Sequence, residues 1–153
     1  MPQLAHAKNL RLGRFSQPGQ IYLVTTVTYN RDPFFRNLYF SRIVINALVY
    51  RQQHKLANTL AFVLMPDHLH WLFSLGEDKN LSQLMHGFKR YTSQGINQKL
   101  LRAAPIWQSG YYDHALRKEE DVKHAARYIV ANPLRAKIVN HIGDYPHWDA
   151  VWV

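Results

Sequence analysis

The chain has 153 residues, 47% of them hydrophobic, which is enough for one domain with a single core. Nineteen Lys and Arg against ten Asp and Glu give a formal net charge of +9, which favours a polyanionic partner, with nucleic acid ahead of an anionic membrane. The absence of cysteine excludes disulfides and thiolate-held zinc, and no apolar run approaches the roughly 20 residues that span a bilayer.

The first residues of the chain predict a basic arm over residues 1–18. Lys8, Arg11 and Arg14 lie there among few apolar positions, and Pro18-Gly19 then turns the chain. This segment lacks the charged start and apolar stretch of a secretory signal, so we expect a cytoplasmic protein. Since no linker or internal repeat follows, we expect residues 1–153 to form one domain that carries this arm.

Strand and helix patterns alternate along the rest of the chain. β-Branched and aromatic residues predict a strand over residues 21–29, and apolar residues at helical spacing predict a helix over 39–54. Two strands, residues 59–65 and 68–74, joined by a turn at Pro66-Asp67 predict a hairpin. The remaining predictions are a strand within residues 107–116, a helix that begins at residue 80, and helices over residues 119–131 and 133–139. This order predicts an α+β, ferredoxin-like antiparallel sheet with helices on one face.

The hairpin carries two histidines two residues apart, His68 and His70. Side chains alternate faces along a strand, so both imidazoles share one face while Leu69, Trp71 and Phe73 share the other. Neutral imidazole is a common ligand of divalent metals, so the pair predicts a metal site on the sheet. The alternative is two ordinary histidines, since this residue type often lies at intermediate burial.

The helix that follows residue 119 presents Tyr128 and Asn132 one turn apart, off its apolar stripe. A phenol can act as a nucleophile, but its pKa of about 10 means that it needs a metal to polarise the group it attacks. The histidine pair and the tyrosine therefore complement each other. The alternatives are a packing role for Tyr128 and an N-cap role for Asn132 before the helix that begins at Pro133.

A mixed cluster over residues 107–117 interleaves aromatic, polar and cationic side chains, among them Tyr112, His114 and Arg117. Aromatic rings stack on unpaired bases and cations contact phosphates, so the cluster suits single-stranded nucleic acid. The alternative is an edge strand with a packed tryptophan and a solvated arginine.

Three segments in this order resemble the REP-associated tyrosine transposases of the HUH superfamily, bacterial relatives of the single-strand insertion-sequence transposases. They are residues 65–71 (MPDHLHW), 107–117 (WQSGYYDHALR) and 128–136 (YIVANPLRA). The resemblance implies a ferredoxin-like fold, a divalent metal (Mg²⁺ or Mn²⁺) held by His68 and His70, and Tyr128 as the nucleophile. Asn132 matches the place of a third metal ligand, a role that a Gln fills in related insertion-sequence enzymes.

The resemblance also implies a function. A family member cleaves single-stranded DNA at hairpins of repetitive extragenic palindromes, through a 5′-phosphotyrosine and a free 3′-hydroxyl, and rejoins the strands. We therefore expect a DNA partner in the bacterial cytoplasm, no membrane partner, and a monomer or homodimer. The residues expected to contact DNA are Arg11, Arg14, Tyr112, His114, Arg117, Lys123, Arg127 and Arg135.

Two rival functions remain open at the level of sequence. A non-catalytic single-stranded nucleic-acid-binding module of the same fold shares the charge and the aromatic residues but has no use for paired histidines. A metal-dependent hydrolytic nuclease uses water as the nucleophile and forms no covalent protein–DNA adduct. Metal-dependent cleavage excludes the first rival, and an adduct excludes the second.

Overall fold

The computed structural model of the protein describes residues 18–141 and 144–150, so the predicted basic arm with Arg11 and Arg14 lies almost wholly outside the described residues. The strands are β1 (Ile21–Val27), β2 (Ala57–Met65), β3 (His68–Leu75), β4 (Tyr112–Leu116) and β5 (Trp148–Ala150). The helices are α1 (Leu38–Gln53), α2 (Leu81–Leu100), α3 (Glu119–Val130) and α4 (Asn132–Arg135). In this part of the chain, no helix combines the length and apolar character needed to cross a bilayer.

The five strands form one sheet in the order β4-β1-β3-β2-β5, with every neighbouring pair antiparallel. The first four strands follow the ferredoxin-like plan, so the predicted α+β class and antiparallel sheet are confirmed. The predicted hairpin is also present, because Met65 pairs with His68 around the turn at Pro66-Asp67. The histidine strand β3 therefore lies in the centre of the sheet.

Each face of the sheet carries its own apolar core. On one face, α1 and α2 pack through residues such as Leu48 and Phe88 against Trp71 and Phe73 of β3. On the opposite face, α3 packs against the side chains of β1, β2 and β3 that include Leu72.

The helices thus cover both faces of the sheet, whereas the sequence analysis placed them on one. The physical reason is that the sheet has apolar residues on both sides. Leu23, Val63 and Leu72 point away from α1 and α2, and they need the apolar stripe of α3 to cover them.

The last strand, β5, is absent from the sequence prediction. It is three residues long and pairs with β2 through Val63 and Trp148. Two hydrogen bonds fix the segment before it. The Tyr145 hydroxyl donates to the Leu64 carbonyl, and the Leu64 amide donates to the His147 carbonyl. The C-terminal part of the described chain is therefore joined to β2, next to the histidine strand.

Candidate metal and nucleophile site

The two histidines project from the central strand β3 onto the face that α3 covers. Their ring centroids lie 4.8 Å apart and their planes are nearly perpendicular, at 81°. His68 is partly exposed, whereas His70 is only 6% exposed. The register places His68 opposite Val27 and His70 opposite Thr25 of β1. The pair therefore lies on the central strand, which is paired on both sides, at the edge of the core beneath α3.

One ring nitrogen of each histidine already has a partner. Nδ1 of His68 lies 2.8 Å from Oδ1 of Asp67, and Nδ1 of His70 lies 2.7 Å from Oγ1 of Thr25. When each Nδ1 carries the proton and donates it to that oxygen, the Nε2 lone pairs of both rings are free. Metal-binding histidines commonly have this arrangement, because the second hydrogen bond fixes the tautomer and the ring orientation.

Asp67 is itself held in place from the other side. Its second carboxylate oxygen lies 3.0 Å from Nε of Arg31. Arg31 follows β1 and adopts a φ of 55°, a left-handed conformation that is uncommon for residues other than glycine. The unusual turn thus brings an arginine to the carboxylate that orients His68.

Burial keeps both imidazoles neutral. It lowers the pKa of His68 below its usual value, although the hydrogen bond to Asp67 acts in the opposite direction. For His70, burial is the main cause, and electrostatic interactions with His68 and with the Arg135 cation act in the same direction and lower the pKa to about 3. Neutral rings at physiological pH are the forms that can donate a lone pair to a metal.

Tyr128 lies beside this pair, on the last turn of α3. Its ring centroid is 6.4 Å from that of His70, with the planes at 72°, and 44% of the residue is exposed. The candidate nucleophile and the candidate metal ligands therefore come together from two elements that are 58 positions apart in the chain, counted from His70 to Tyr128. Exposure leaves the phenol accessible to a large substrate.

Asn132 is the first residue of α4, and its side chain does not cap that helix. The N-cap is Ala131, and no side-chain cap bond is present, so the capping alternative is wrong. The amide oxygen Oδ1 of Asn132 accepts a hydrogen bond of 2.8 Å from Nη2 of Arg135. Its amide nitrogen Nδ2 is buried and has no partner within the described residues. A buried polar atom left without a partner is unusual in a protein interior and is common at functional sites.

These donors fit a divalent metal with few protein ligands. Within the described residues, no group of three or more His, Cys, Asp or Glu converges on one point, so a carboxylate-rich site is not available. What the fold offers instead is two imidazoles oriented by Asp67 and Thr25. A metal bound there would take its remaining ligands from water and from a substrate phosphate, as Mg²⁺ and Mn²⁺ do in phosphoryl-transfer sites.

Arg135 connects the tyrosine and the asparagine. Its Nη2 donates to the backbone carbonyl of Tyr128 at 2.7 Å as well as to Oδ1 of Asn132. Its guanidinium carbon lies 3.9 Å from the centroid of the Tyr128 ring. One cation therefore contacts the ring of Tyr128, the end of its helix and the neighbouring amide.

Two open clefts flank α3 on this face. The first, of about 600 Å³, is lined by Leu23, His124, Ala125, Arg127, Tyr128 and Arg135. The second, of about 520 Å³, is lined by His114, Ala115, Leu116, Arg117, Lys118, Asp121 and His124. Two Lys or Arg side chains line each cleft, the second cleft also contains the carboxylate of Asp121, and His124 lines both. A third cleft of about 570 Å³ between α1 and β2 contains no Lys, Arg or His and does not suit an anion.

Four of the predicted DNA contacts, His114, Arg117, Arg127 and Arg135, thus line the two clefts that flank α3. Lys123, another predicted DNA contact, lies on α3, where its Nζ is 3.3 Å from a carboxylate oxygen of Glu119.

The position of Tyr112 differs from the prediction. The residue is 8% exposed and its hydroxyl is buried without a hydrogen-bond partner in the described part of the chain. Tyr112 lies next to Thr25 on the histidine face, where burial raises the pKa of its phenol. A base therefore has no free ring face to stack on at this residue.

Sequence reasoning missed the residues that support the ligands. Asp67 precedes His68 directly, so a carboxylate next to a predicted ligand is a signal that a sequence reader can use. Thr25 gives no such signal, because its role depends on the register between β1 and β3. The same holds for Arg31, which reaches Asp67 only through the turn after β1.

Comparison with known proteins identifies relatives of the chain. The model of the family described as transposase IS200 like matches residues 17–132. A Haemophilus influenzae protein, provisionally named a REP-associated tyrosine transposase, is 26% identical over 141 residues, which cover 84% of this chain and 78% of that protein. An Escherichia coli protein named REP-associated tyrosine transposase is 30% identical over 87 residues, covering 56% of this chain and 50% of that protein.

A solved structure of a REP-associated tyrosine transposase bound to a REP hairpin has the same fold. It matches 88% of this chain and 79% of the other, with a TM-score of 0.74 and 23% identity. The resemblance that the three sequence segments carry is thereby confirmed at the level of family and fold.

Proposed function

Because the chain belongs to the IS200-like transposase family, we propose that it cleaves and rejoins single-stranded DNA at REP-type hairpins, with Tyr128 as the nucleophile and a divalent metal at His68 and His70. The observation that carries this proposal is the approach of Tyr128 to His70, 6.4 Å between ring centroids. The names of the relatives support the substrate, since two of them are called REP-associated tyrosine transposases and a structural neighbour is bound to a REP hairpin.

The metal would be held by Nε2 of His68 and Nε2 of His70, with the amide oxygen of Asn132 as a candidate third ligand. When bound, a divalent ion polarises the scissile phosphate and offsets the charge that develops on its oxygens. Two imidazole nitrogens are better donors for Mn²⁺ than for Mg²⁺, which prefers oxygen ligands. Both ions belong in the test.

Tyr128 performs the chemical step. Its phenolic oxygen forms a bond to the scissile phosphorus while the bond from phosphorus to the 3′ oxygen breaks. The phenolic proton passes to solvent, and the leaving 3′ oxygen takes up a proton to become a free hydroxyl. The 5′ phosphate stays on Tyr128 as a phosphotyrosine. Attack by a 3′-hydroxyl on that phosphotyrosine reverses the step, so the strand is rejoined without a nucleotide cofactor.

The clefts beside α3 hold the DNA strand. His124, Arg127 and Arg135 line the cleft next to Tyr128, and His114 and Arg117 line its neighbour. Cations at these positions contact phosphates and so fix the register of the strand relative to Tyr128 without reading its sequence. A single strand fits such a path more readily than a duplex, because its unpaired bases can turn toward the protein surface while its phosphates contact the cations.

The test is incubation of a labelled single-stranded hairpin DNA with the protein and Mn²⁺ or Mg²⁺, followed by denaturing electrophoresis. We expect a covalent protein–DNA band that needs the metal and needs Tyr128. Cleavage without a covalent band contradicts the tyrosine mechanism in favour of water as the nucleophile. If the protein binds the DNA but cleaves it with neither metal, the proposed function is contradicted, and the protein is a nucleic-acid-binding module.

A further inference from the structure

We propose that Arg135 is a positioning residue, which holds the Tyr128 ring and the Asn132 amide in the geometry needed for cleavage. This inference rests on the proposed function, and it gives Arg135 a positioning role in addition to the phosphate contact proposed above. It starts from three contacts made by one guanidinium: the ring of Tyr128, the carbonyl of Tyr128 and the amide oxygen of Asn132.

The ring of Tyr128 has few other restraints. It is 44% exposed, and within the described residues its phenol makes no hydrogen bond. Among the described residues, the aromatic and cationic groups against this ring are the edge of His70 and the guanidinium of Arg135, whose carbon lies 3.9 Å from the ring centroid. An exposed aromatic side chain samples several rotamers, so a cation on its face selects the one that lies beside the histidines.

The same guanidinium fixes the Asn132 amide. Arginine has only N–H donors, so the amide atom that faces Nη2 of Arg135 is the oxygen, and the buried atom is the nitrogen. An amide oxygen has two lone pairs. One lone pair accepts the hydrogen bond from Arg135, and the second is available to a metal ion. Arg135 therefore orients the candidate third ligand as well as the nucleophile.

Arg135 also stabilises the end of the helix that carries Tyr128. The carbonyls in the last turn of an α-helix have no partner inside the helix, and a cation at that end interacts favourably with the helix dipole. By donating to the Tyr128 carbonyl, Arg135 ties α4 back onto α3. The position of the nucleophile thus depends on a residue seven positions further along the chain.

The planar shape of the guanidinium distinguishes positioning from simple charge. Lysine keeps the positive charge but lacks the planar fork that stacks on a ring and donates in fixed directions. Arg135→Lys is therefore the informative variant. Arg127→Lys is the control for the conformation of Tyr128, because Arg127 lies on α3 in the same cleft and, within the described residues, its side chain neither stacks on Tyr128 nor hydrogen-bonds to Tyr128 or Asn132.

The experiment compares the full-length wild-type, Arg135→Lys and Arg127→Lys proteins with two readouts. The first is the single-turnover rate of covalent adduct formation on saturating hairpin DNA with Mn²⁺, alongside the Kd for the same DNA in EDTA. The second is ¹⁹F NMR of 3-fluorotyrosine protein without metal or DNA, with the Tyr128 resonance assigned from Tyr128→Phe. We expect Arg135→Lys to slow the adduct by about 10- to 100-fold, the scale of a misplacement on the order of 1 Å.

In the same variant, Kd is expected to stay near the wild-type value and the Tyr128 resonance to shift or broaden. Arg127→Lys is expected to leave the Tyr128 resonance unchanged, whatever it does to Kd through its own phosphate contact. A wild-type rate and an unchanged resonance in Arg135→Lys overturn the inference, and so does a loss of rate that is explained entirely by weaker binding.

Failure of the proposed function gives a different result. If the wild-type protein forms no adduct, the enzymatic function is overturned, while the ¹⁹F resonance of Arg135→Lys still decides whether Arg135 holds the ring. Arg135→Gln keeps a planar donor but loses the charge, and it serves as the second variant should the lysine protein fold poorly, as judged by its circular dichroism.

Discussion

The hydroxyl of Thr25 lies 2.7 Å from Nδ1 of His70, across the ladder that joins β1 to β3. Thr25 thereby fixes the orientation of a buried imidazole without being a metal ligand itself. We expect Thr25→Val, which removes the hydroxyl and nearly conserves shape, to weaken Mn²⁺ binding by about 10- to 100-fold. Calorimetry or electron paramagnetic resonance of the DNA-free protein measures this. Thr25→Ser keeps the hydroxyl and is the control, so equal loss in both variants contradicts the orienting role.

The histidines themselves are expected to be essential for the metal. His68→Ala and His70→Ala each remove one ligand from a site with few, so both should abolish metal-dependent cleavage. Their effects on stability should differ, because His70 is 6% exposed and packs beneath α3, whereas His68 is more accessible. We expect His70→Ala to lower Tm more than His68→Ala in a thermal melt without metal. A double variant that cleaves at the normal rate contradicts the metal assignment.

Tyr128→Phe removes only the phenolic oxygen. Because Tyr128 is exposed and its phenol makes no hydrogen bond within the described residues, Tm and the Kd for hairpin DNA should stay near wild type while the covalent adduct disappears. The matched control is Tyr112→Phe, since Tyr112 shares the sheet face with the histidines but is buried. An adduct that persists in Tyr128→Phe and is lost in Tyr112→Phe would identify Tyr112 as the nucleophile.

DNA affinity should fall steeply with salt, because a chain of net charge +9 releases counterions when it neutralises phosphates. Replacing Arg11 and Arg14 together with glutamine should weaken binding and flatten the salt slope by up to roughly two phosphate contacts. The affinity for a hairpin with a single-stranded flank is compared with that for a duplex of equal length at several salt concentrations. Equal affinity for the hairpin and the duplex would indicate that the protein binds polyanions in general, and it would contradict the proposed substrate.

Tyr145 offers a test of the fold with a defined pH dependence. Its hydroxyl donates to the Leu64 carbonyl, and Tyr145→Phe leaves that buried carbonyl without this donor, at a cost of about 1–3 kcal/mol in the free energy of unfolding. Burial raises the pKa of Tyr145 to about 12, above the value of about 10 in an unfolded chain.

The unfolded state therefore loses the Tyr145 proton first, and the stabilisation by Tyr145 is complete below about pH 10 and declines as the pH rises toward 12. Urea unfolding at pH 7 and pH 11 should show a smaller difference between wild type and Tyr145→Phe at the higher pH. A difference that grows with pH contradicts this account.

Local periodicity was sufficient to predict the two halves of the site. Two-residue alternation puts His68 and His70 on one face, and helical spacing puts Tyr128 and Asn132 on one stripe, so neither prediction needs tertiary information. The contact between Thr25 and His70 depends on strand register, which alternation alone does not specify.

The remaining differences also have physical causes. The strand Trp148–Ala150 is too short to carry a periodic signal, and it forms because the edge of β2 offers unpaired backbone groups. Tyr112 looks like a stacking residue in the sequence, but the neighbouring strand and its own position on the inner face bury it. The face that α3 covers could be found only by noticing that the sheet carries apolar residues on both sides.

The central place of β3 in the sheet has a consequence for local opening. Hydrogen bonds to β1 and β2 hold both edges of β3, so its backbone cannot open without disrupting the sheet, and its amide protons should exchange with solvent only when the whole domain unfolds. The helix with Tyr128 rests on one face of the sheet, so we expect it to detach at a lower free energy than global unfolding. We therefore expect the backbone of the histidines to open only with the entire domain, and that of the tyrosine to open with a single helix.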